Sequence, residues 1–136
     1  MLENTYYKII KGGIKMKIVA EYGEVSMRER YMMTARSAAK KGFKDVIGKV
    51  FQIKCACQSE DIVNGEGDEK KIKKILAMIT NDGEVLAGDS GTTRESFEDL
   101  LATFGDELFE LDKKIEVTVI GQQSKAGRTF ITLQLV

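Results

Sequence analysis

The sequence predicts a mainly β domain: five strands with one helix between the third and fourth, preceded by an N-terminal hairpin and a short helix. Three observations predict it. Apolar and polar residues alternate in several runs, as at Phe51, Ile53, Cys55 and Cys57, or at Ile115, Val117 and Val119, the period of a strand with a buried face. Between residues 91 and 105 the period changes, and Phe97, Leu100, Leu101 and Phe104 fall at i, i+3, i+4 and i+7, one stripe along a helix. Turn residues punctuate the rest, among them Gly12-Gly13 and Asn81-Asp82-Gly83.

In chain order, residues 5–22 form the expected hairpin, turning at Gly12-Gly13, with Ile14, Met16 and Ile18 buried and Lys15 and Lys17 outward. Ser26 and Glu29 make a capping box, Gly42 is the stop, and the alanine-rich stretch 34–41 is the stronger half of that helix. The first barrel strand spans 49–58 and puts Phe51, Ile53, Cys55 and Cys57 on one face, with Gln52, Lys54 and Gln58 on the other. A polar loop covers 59–71, the second strand 72–80 and the short third strand 84–87. The helix then opens on a Thr92/Glu95 capping box and closes at Gly105, which reaches left-handed conformations cheaply. Strand four spans 114–121. Strand five spans 128–136, with Ile131, Leu133 and Leu135 inward and Arg128, Phe130, Thr132 and Gln134 outward. This order is that of a five-stranded oligonucleotide-binding (OB-type) barrel. Residues 1–43 are its extension and 44–136 the barrel, in one folded unit.

At 136 residues the chain suits a single core. It contains no run long enough to span a membrane and no signal peptide is visible, so a cytoplasmic protein is expected. Cys55 and Cys57 would point to the same face of one strand, too far apart along it for a relaxed bridge and too few for a disulfide framework, and are expected to be buried, reduced thiols. There is no histidine, which removes imidazole base chemistry and mixed cysteine–histidine zinc sites. Net charge is zero but unevenly spread: residues 1–58 carry +7, residues 59–112 carry −10 and residues 113–136 carry +3. If the ends meet, as in a barrel, a basic face forms opposite an acidic one.

Apparent catalytic signals fail on chemistry. Gly88-Asp89-Ser90-Gly91 looks like the nucleophile loop of a serine protease, but no imidazole exists to take the serine proton. Asp61, Glu66, Asp68 and Glu69 lack the spacing of a calcium loop and read as solvated. The glycine pairs lack the lysine and hydroxyl of a phosphate-cradling loop. No enzyme, metal or cofactor is expected. Lys125, Arg128 and Phe130, with Thr132 and Gln134, are more informative: a base can stack on the ring while its phosphate meets the cations. Burial of Phe130 under the N-terminal segment is the competing reading. Lys70, Lys71, Lys73 and Lys74 either form a solvated face or steer a phosphate backbone. Tyr6, Tyr7, Tyr22 and Tyr31 are further stacking candidates or structural rings.

The run 45–49 (Asp-Val-Ile-Gly-Lys), the helix after Asp89-Ser90-Gly91, and the ending Ser124-Lys125-Ala126-Gly127-Arg128-Thr129-Phe130-Ile131-Thr132-Leu133 resemble a known family. They are similar to the small single-stranded DNA-binding proteins of tailed bacteriophages and related mobile elements of Gram-positive bacteria, over about residues 44–136. The resemblance implies an OB fold that coats single-stranded DNA during replication in the host bacterial cytoplasm, without catalysis. It places Lys54, Lys125, Arg128 and Phe130 on the binding face; Lys73, Tyr31 and Arg36 are added as candidates from the basic stretches. The N-terminal extension either widens the DNA groove or mediates self-association along the strand. The chain ends on a strand, so recruitment through an acidic tail is not expected. The rival reading is an OB-fold protein-interaction adaptor of a virion or replisome.

Overall fold

A computed structural model describes residues 6–10, 13–64 and 70–136. Its elements are β1 (Tyr6–Ile10), β2 (Gly13–Tyr22), α1 (Met27–Thr34), β3 (Lys41–Gly42), β4 (Val50–Phe51) and β5 (Ile53–Asn64). There follow β6 (Lys70–Thr80), β7 (Val85–Gly88), α2 (Gly91–Phe104), β8 (Val117–Gln123) and β9 (Thr129–Leu135). The protein is mainly β, as expected, with the helix placed between β7 and β8. A large sheet runs β1-β2-β5-β6-β7-β3, antiparallel throughout except for the β3–β7 pair, and a small sheet runs β4-β8-β9. The chain crosses between them at Gln52, whose amide donates to Asn81 Oδ1 and whose carbonyl accepts from the Asn81 amide, both at 2.9 Å.

The expected closed barrel is not formed, because no ladder joins β7 to β9 among the described residues. Helix α2 fills that gap with hydroxyls. Thr92 and Thr93 donate to the Ile131 carbonyl at 3.0 and 2.8 Å, and the Leu133 amide donates to Ser96 Oγ at 2.9 Å. This use of Thr92 moves the helix cap from Thr92 to Ser90, whose hydroxyl accepts from the Thr93 amide. The other end is as expected: Gly105 adopts φ +57° and its amide caps the Leu101 carbonyl.

A bulge changes the facing of the first barrel strand. Ile53 pairs with Thr80 but Cys55 pairs with Ile79, so Lys54 is an extra residue and the faces switch there. Phe51, Ile53 and Ala56 therefore join the main core with Phe97, Val117, Val119 and Leu133. Cys55 and Cys57, contrary to the alternation, lie on the other face with Met33, Ala77 and Ile79, under α1. Both thiols are free and buried, and burial pushes each up to about 12.

Other boundaries shift for identifiable reasons. The Ser26–Glu29 capping box is present, but α1 ends at Thr34 rather than Gly42. Ala35 is buried in an extended conformation, and Lys40 Nζ caps the carbonyls of Ala35 and Ala38, so tertiary packing overrides alanine's helix propensity. The expected loop 59–71 is largely strand: Ser59 to Asn64 pair with Ile75 to Lys70, while residues 65–69 lie outside the described set. Strand four begins at Val117 instead of Lys114, because Lys114 takes a left-handed conformation after a tight turn. Leu135, expected inward, is exposed beyond the end of the core.

The hydroxyl contacts yield a first prediction. Ser96→Ala leaves the Leu133 amide without its acceptor and should lower unfolding free energy by about 1–3 kcal/mol in urea titration. Thr103→Ala removes only an exposed bond to the Asp99 carbonyl and should stay within about 0.5 kcal/mol of the parent.

Candidate nucleic-acid interface

The β8–β9 hairpin carries the clearest constellation. Its turn is organised by Ser124, whose carbonyl accepts from the Gly127 amide at 2.9 Å and whose hydroxyl accepts from the Arg128 amide at 3.2 Å. The Ser124 amide donates to the Arg128 carbonyl at 2.8 Å, and Gly127 supplies the positive φ the turn requires. Lys125 and Arg128 are thereby held at the exposed tip, and neither forms an ion pair among the described residues. Phe130 follows on the outward face with 39% of its surface exposed, so the N-terminal segment does not bury it. Its cross-strand neighbour is Gln122, a polar residue that the alternation from buried Val119 also places outward.

The other expected site residues are exposed to solvent but already engaged. Lys54 Nζ lies 2.7 Å from Glu29 Oε2. Burial raises the Glu29 carboxyl, but hydrogen bonds from Lys54 and Ser26 outweigh it and hold the group below the usual range. The hydrogen bond to Glu29 in turn raises Lys54. Lys54 also borders an open groove of about 800 Å³ that carries Glu24, Glu29, Asp106 and Glu110, an environment that repels phosphate. Arg36 Nη2 sits 2.6 Å from Asp61 Oδ1, and Lys73, opposite Asp61 in the ladder, reaches Asp89 at 3.3 Å. Tyr31 is exposed on α1, its hydroxyl 3.3 Å from Ser37 Oγ. These residues lie on the α1 side of the large sheet, away from the β8–β9 hairpin in the fold's connectivity.

The charge segments therefore do not separate into two clean faces. The acidic middle of the chain supplies carboxylates to the basic N-terminal third, through Asp61 to Arg36 and through Asp82 and Glu84 to Lys41 and Lys49. Tyr22 is no stacking candidate, since it packs edge-on to Phe97 and stacked on Phe109 in the core. Burial raises its hydroxyl, with Glu98 adding to the effect. The side chains of Tyr6 and Tyr7 lie outside the described residues.

Cations without an ion pair among the described residues, beside an exposed ring on a β-rich domain, have the chemistry that suits a polyanion carrying unpaired bases. The family model for phage single-stranded DNA-binding proteins, of the Phi29 type, matches residues 12–136, and the chain belongs to that family. No curated protein and no solved structure matches the chain. No helix among the described residues is long and apolar enough to cross a membrane.

The ion-pair cluster at the β6–β7 turn gives a pH prediction. The Thr80 hydroxyl, and then Lys49, hold the Asp82 carboxyl down at about 2, against an ordinary value of 3.8. A depressed folded-state value stabilises the fold above 3.8, and that contribution is lost as pH falls through about 2. Asp82→Asn should be less stable than the parent at neutral pH and lose less stability on acidification through this window, read by thermal melts across pH.

Proposed function

We propose that this protein binds single-stranded DNA with little sequence preference and protects it during phage-type DNA replication in the host cytoplasm, without catalysis. The observation that carries the reading is the β8–β9 hairpin, where Lys125 and Arg128 have no carboxylate partner among the described residues and Phe130 is exposed beside them. The cations neutralise phosphates and release counterions, while the ring stacks on an unpaired base. Membership of the phage single-stranded DNA-binding family supports the same reading. The order β4/β5, β6, β7, α2, β8, β9 supports an OB-type barrel opened between β7 and β9. Pairing of β2 with β5 from Met16 to Tyr22 supports treating residues 1–43 and 44–136 as one working unit. Lys54, Lys73 and Arg36 reach DNA only by exchanging a carboxylate for a phosphate, so they are assigned a secondary role. Tyr31 is assigned a secondary role because it lies with them on the α1 side.

One observation favours a second reading as a protein-interaction adaptor: the acidic groove beside Lys54 suits a cationic protein segment better than DNA. Gel shifts with single-stranded and duplex DNA separate the two, since an adaptor retards neither.

Titration of oligo-dT against the protein at several salt concentrations tests the main reading. The logarithm of affinity should fall against log salt with a slope of about −0.7 per phosphate engaged. A flat response overturns it. Arg128→Ala should make that slope shallower by about 0.7. Phe130→Ala should cost about 1–3 kcal/mol of binding with little change in slope. Both variants should melt close to the parent, because both side chains are exposed.

A further inference from the structure

Each sheet has an outer face, and α1 covers that of the large sheet over parts of β5, β6 and β7. OB-type barrels bind oligonucleotides on the outer face of their second and third strands, which correspond here to β6 and β7. That face is covered: Met33 of α1 packs on Cys55, Cys57, Ala77, Ile79 and Val85. Its margins are held by ion pairs from Arg30 to Glu21, Lys54 to Glu29 and Arg36 to Asp61.

The outer face of the small sheet differs. With Val117, Val119 and Leu133 buried on the inner side, alternation turns Thr118, Ile120 and Gln122 of β8 outward, opposite Gln134, Thr132 and Phe130 of β9. Val50 of β4 extends the row beside Thr118 and is 47% exposed. Gln134 Nε2 lies 3.5 Å from Thr132 Oγ1, as neighbours on one face should. The surface is uncharged between two ends of opposite character. Lys125 and Arg128 stand at the hairpin tip, and Glu116, opposite Val136, stands at the other end.

We infer that single-stranded DNA runs across this outer face of the β4-β8-β9 sheet, from the Lys125–Arg128 tip along Phe130, Thr132 and Gln134, and not over β6 and β7. The inference rests on the single-stranded DNA reading above and specifies its surface. Successive outward residues on a strand are about 6.7 Å apart, a step that one extended nucleotide can span. The tip cations attract the backbone, Phe130 offers a stacking surface, and the glutamines and threonines offer uncharged hydrogen bonds that suit any base. Glu116 closes the path at its far end by repelling the next phosphate.

The test compares two double variants of the full chain that change net charge equally. Gln122→Glu with Gln134→Glu adds two carboxylates along the proposed path at exposed positions, without changing side-chain size. Met27→Glu with Ala39→Glu adds two on the α1 side, also at exposed positions. Binding to fluorescent oligo-dT at low salt is read by anisotropy, with thermal melts confirming the fold. The first pair should weaken binding about tenfold and the second about twofold or less, because like charges act strongly only near the backbone. Equal weakening by both pairs, or none from the first, overturns the path while leaving DNA binding intact. Failure of the unmodified protein to bind oligo-dT overturns the functional reading and the path together. Photocrosslinking of the unmodified chain to an oligonucleotide carrying 5-iododeoxyuridine gives an independent readout. Adducts in the β9 peptide support the path, and adducts confined to α1 overturn it.

Discussion

A strand buried on both faces governs this molecule. Ile53, Cys55, Ala56 and Cys57 of β5 have no exposed surface, and β5 pairs with β2 on one edge and β6 on the other. Such a strand needs a covering layer on each side. The small sheet and α2 supply one, and α1 with its following segment supplies the other. The bulge at Lys54 decides which residues meet which layer. Without the extra residue, the cysteines would point into the main core and the sequence beyond them would be turned inside out. The requirement that α1 cover β5 is thus structural before it is functional, and it removes a face that a barrel of this order would otherwise present.

The second consequence concerns charge. Exposed ion pairs add little to stability, commonly about 0–1 kcal/mol each, so the pairs along α1 are weak evidence about folding. Their effect on binding is larger. A cation that already holds a carboxylate gains little by meeting a phosphate, because it must release one partner to take the other. Arg36, Lys54 and Lys73 are in that position. Lys125 and Arg128 hold no carboxylate among the described residues. Charge counted along the sequence therefore ranks the N-terminal third as the more basic region, whereas charge counted after folding favours the C-terminal hairpin.

What the sequence made legible follows the range of the forces involved. The stripe on α2, its glycine stop, the Ser26–Glu29 box and the β8–β9 turn are set by residues within a few positions of one another, and each is found where expected. Of the turn expected at Gly12-Gly13, residues 11 and 12 lie outside the described residues, and Gly13 already pairs with Ile10 as the first residue of β2. Lys125, Arg128 and Phe130 were readable together for the same reason, since one hairpin holds them. The bulge at Lys54, the end of α1 and the open gap between β7 and β9 carry no local mark. The bulge and the gap are set between distant parts of the chain, and the end of α1 by the burial of Ala35 together with Lys40 capping the carbonyls that follow. Thr92 and Ser90 illustrate the limit: both are good capping residues, and only the Ile131 carbonyl across the fold decides that Thr92 is used elsewhere. The partners of Arg36, Lys54 and Lys73 are likewise remote, so their engagement was invisible.

The gap between β7 and β9 also bears on how the hairpin can work. An edge strand ordinarily offers a row of free amides and carbonyls. Here α2 occupies the part of that row around Ile131 and Leu133 and anchors the base of β9 to a capped helix. The turn at Ser124, beyond the reach of those hydroxyls, is held by its own hydrogen bonds. A site with a fixed root and a self-ordered tip loses less conformational freedom on binding than a loose loop carrying the same residues. The two-sheet arrangement therefore holds the exposed ring and the two cations in a fixed relation without covering them.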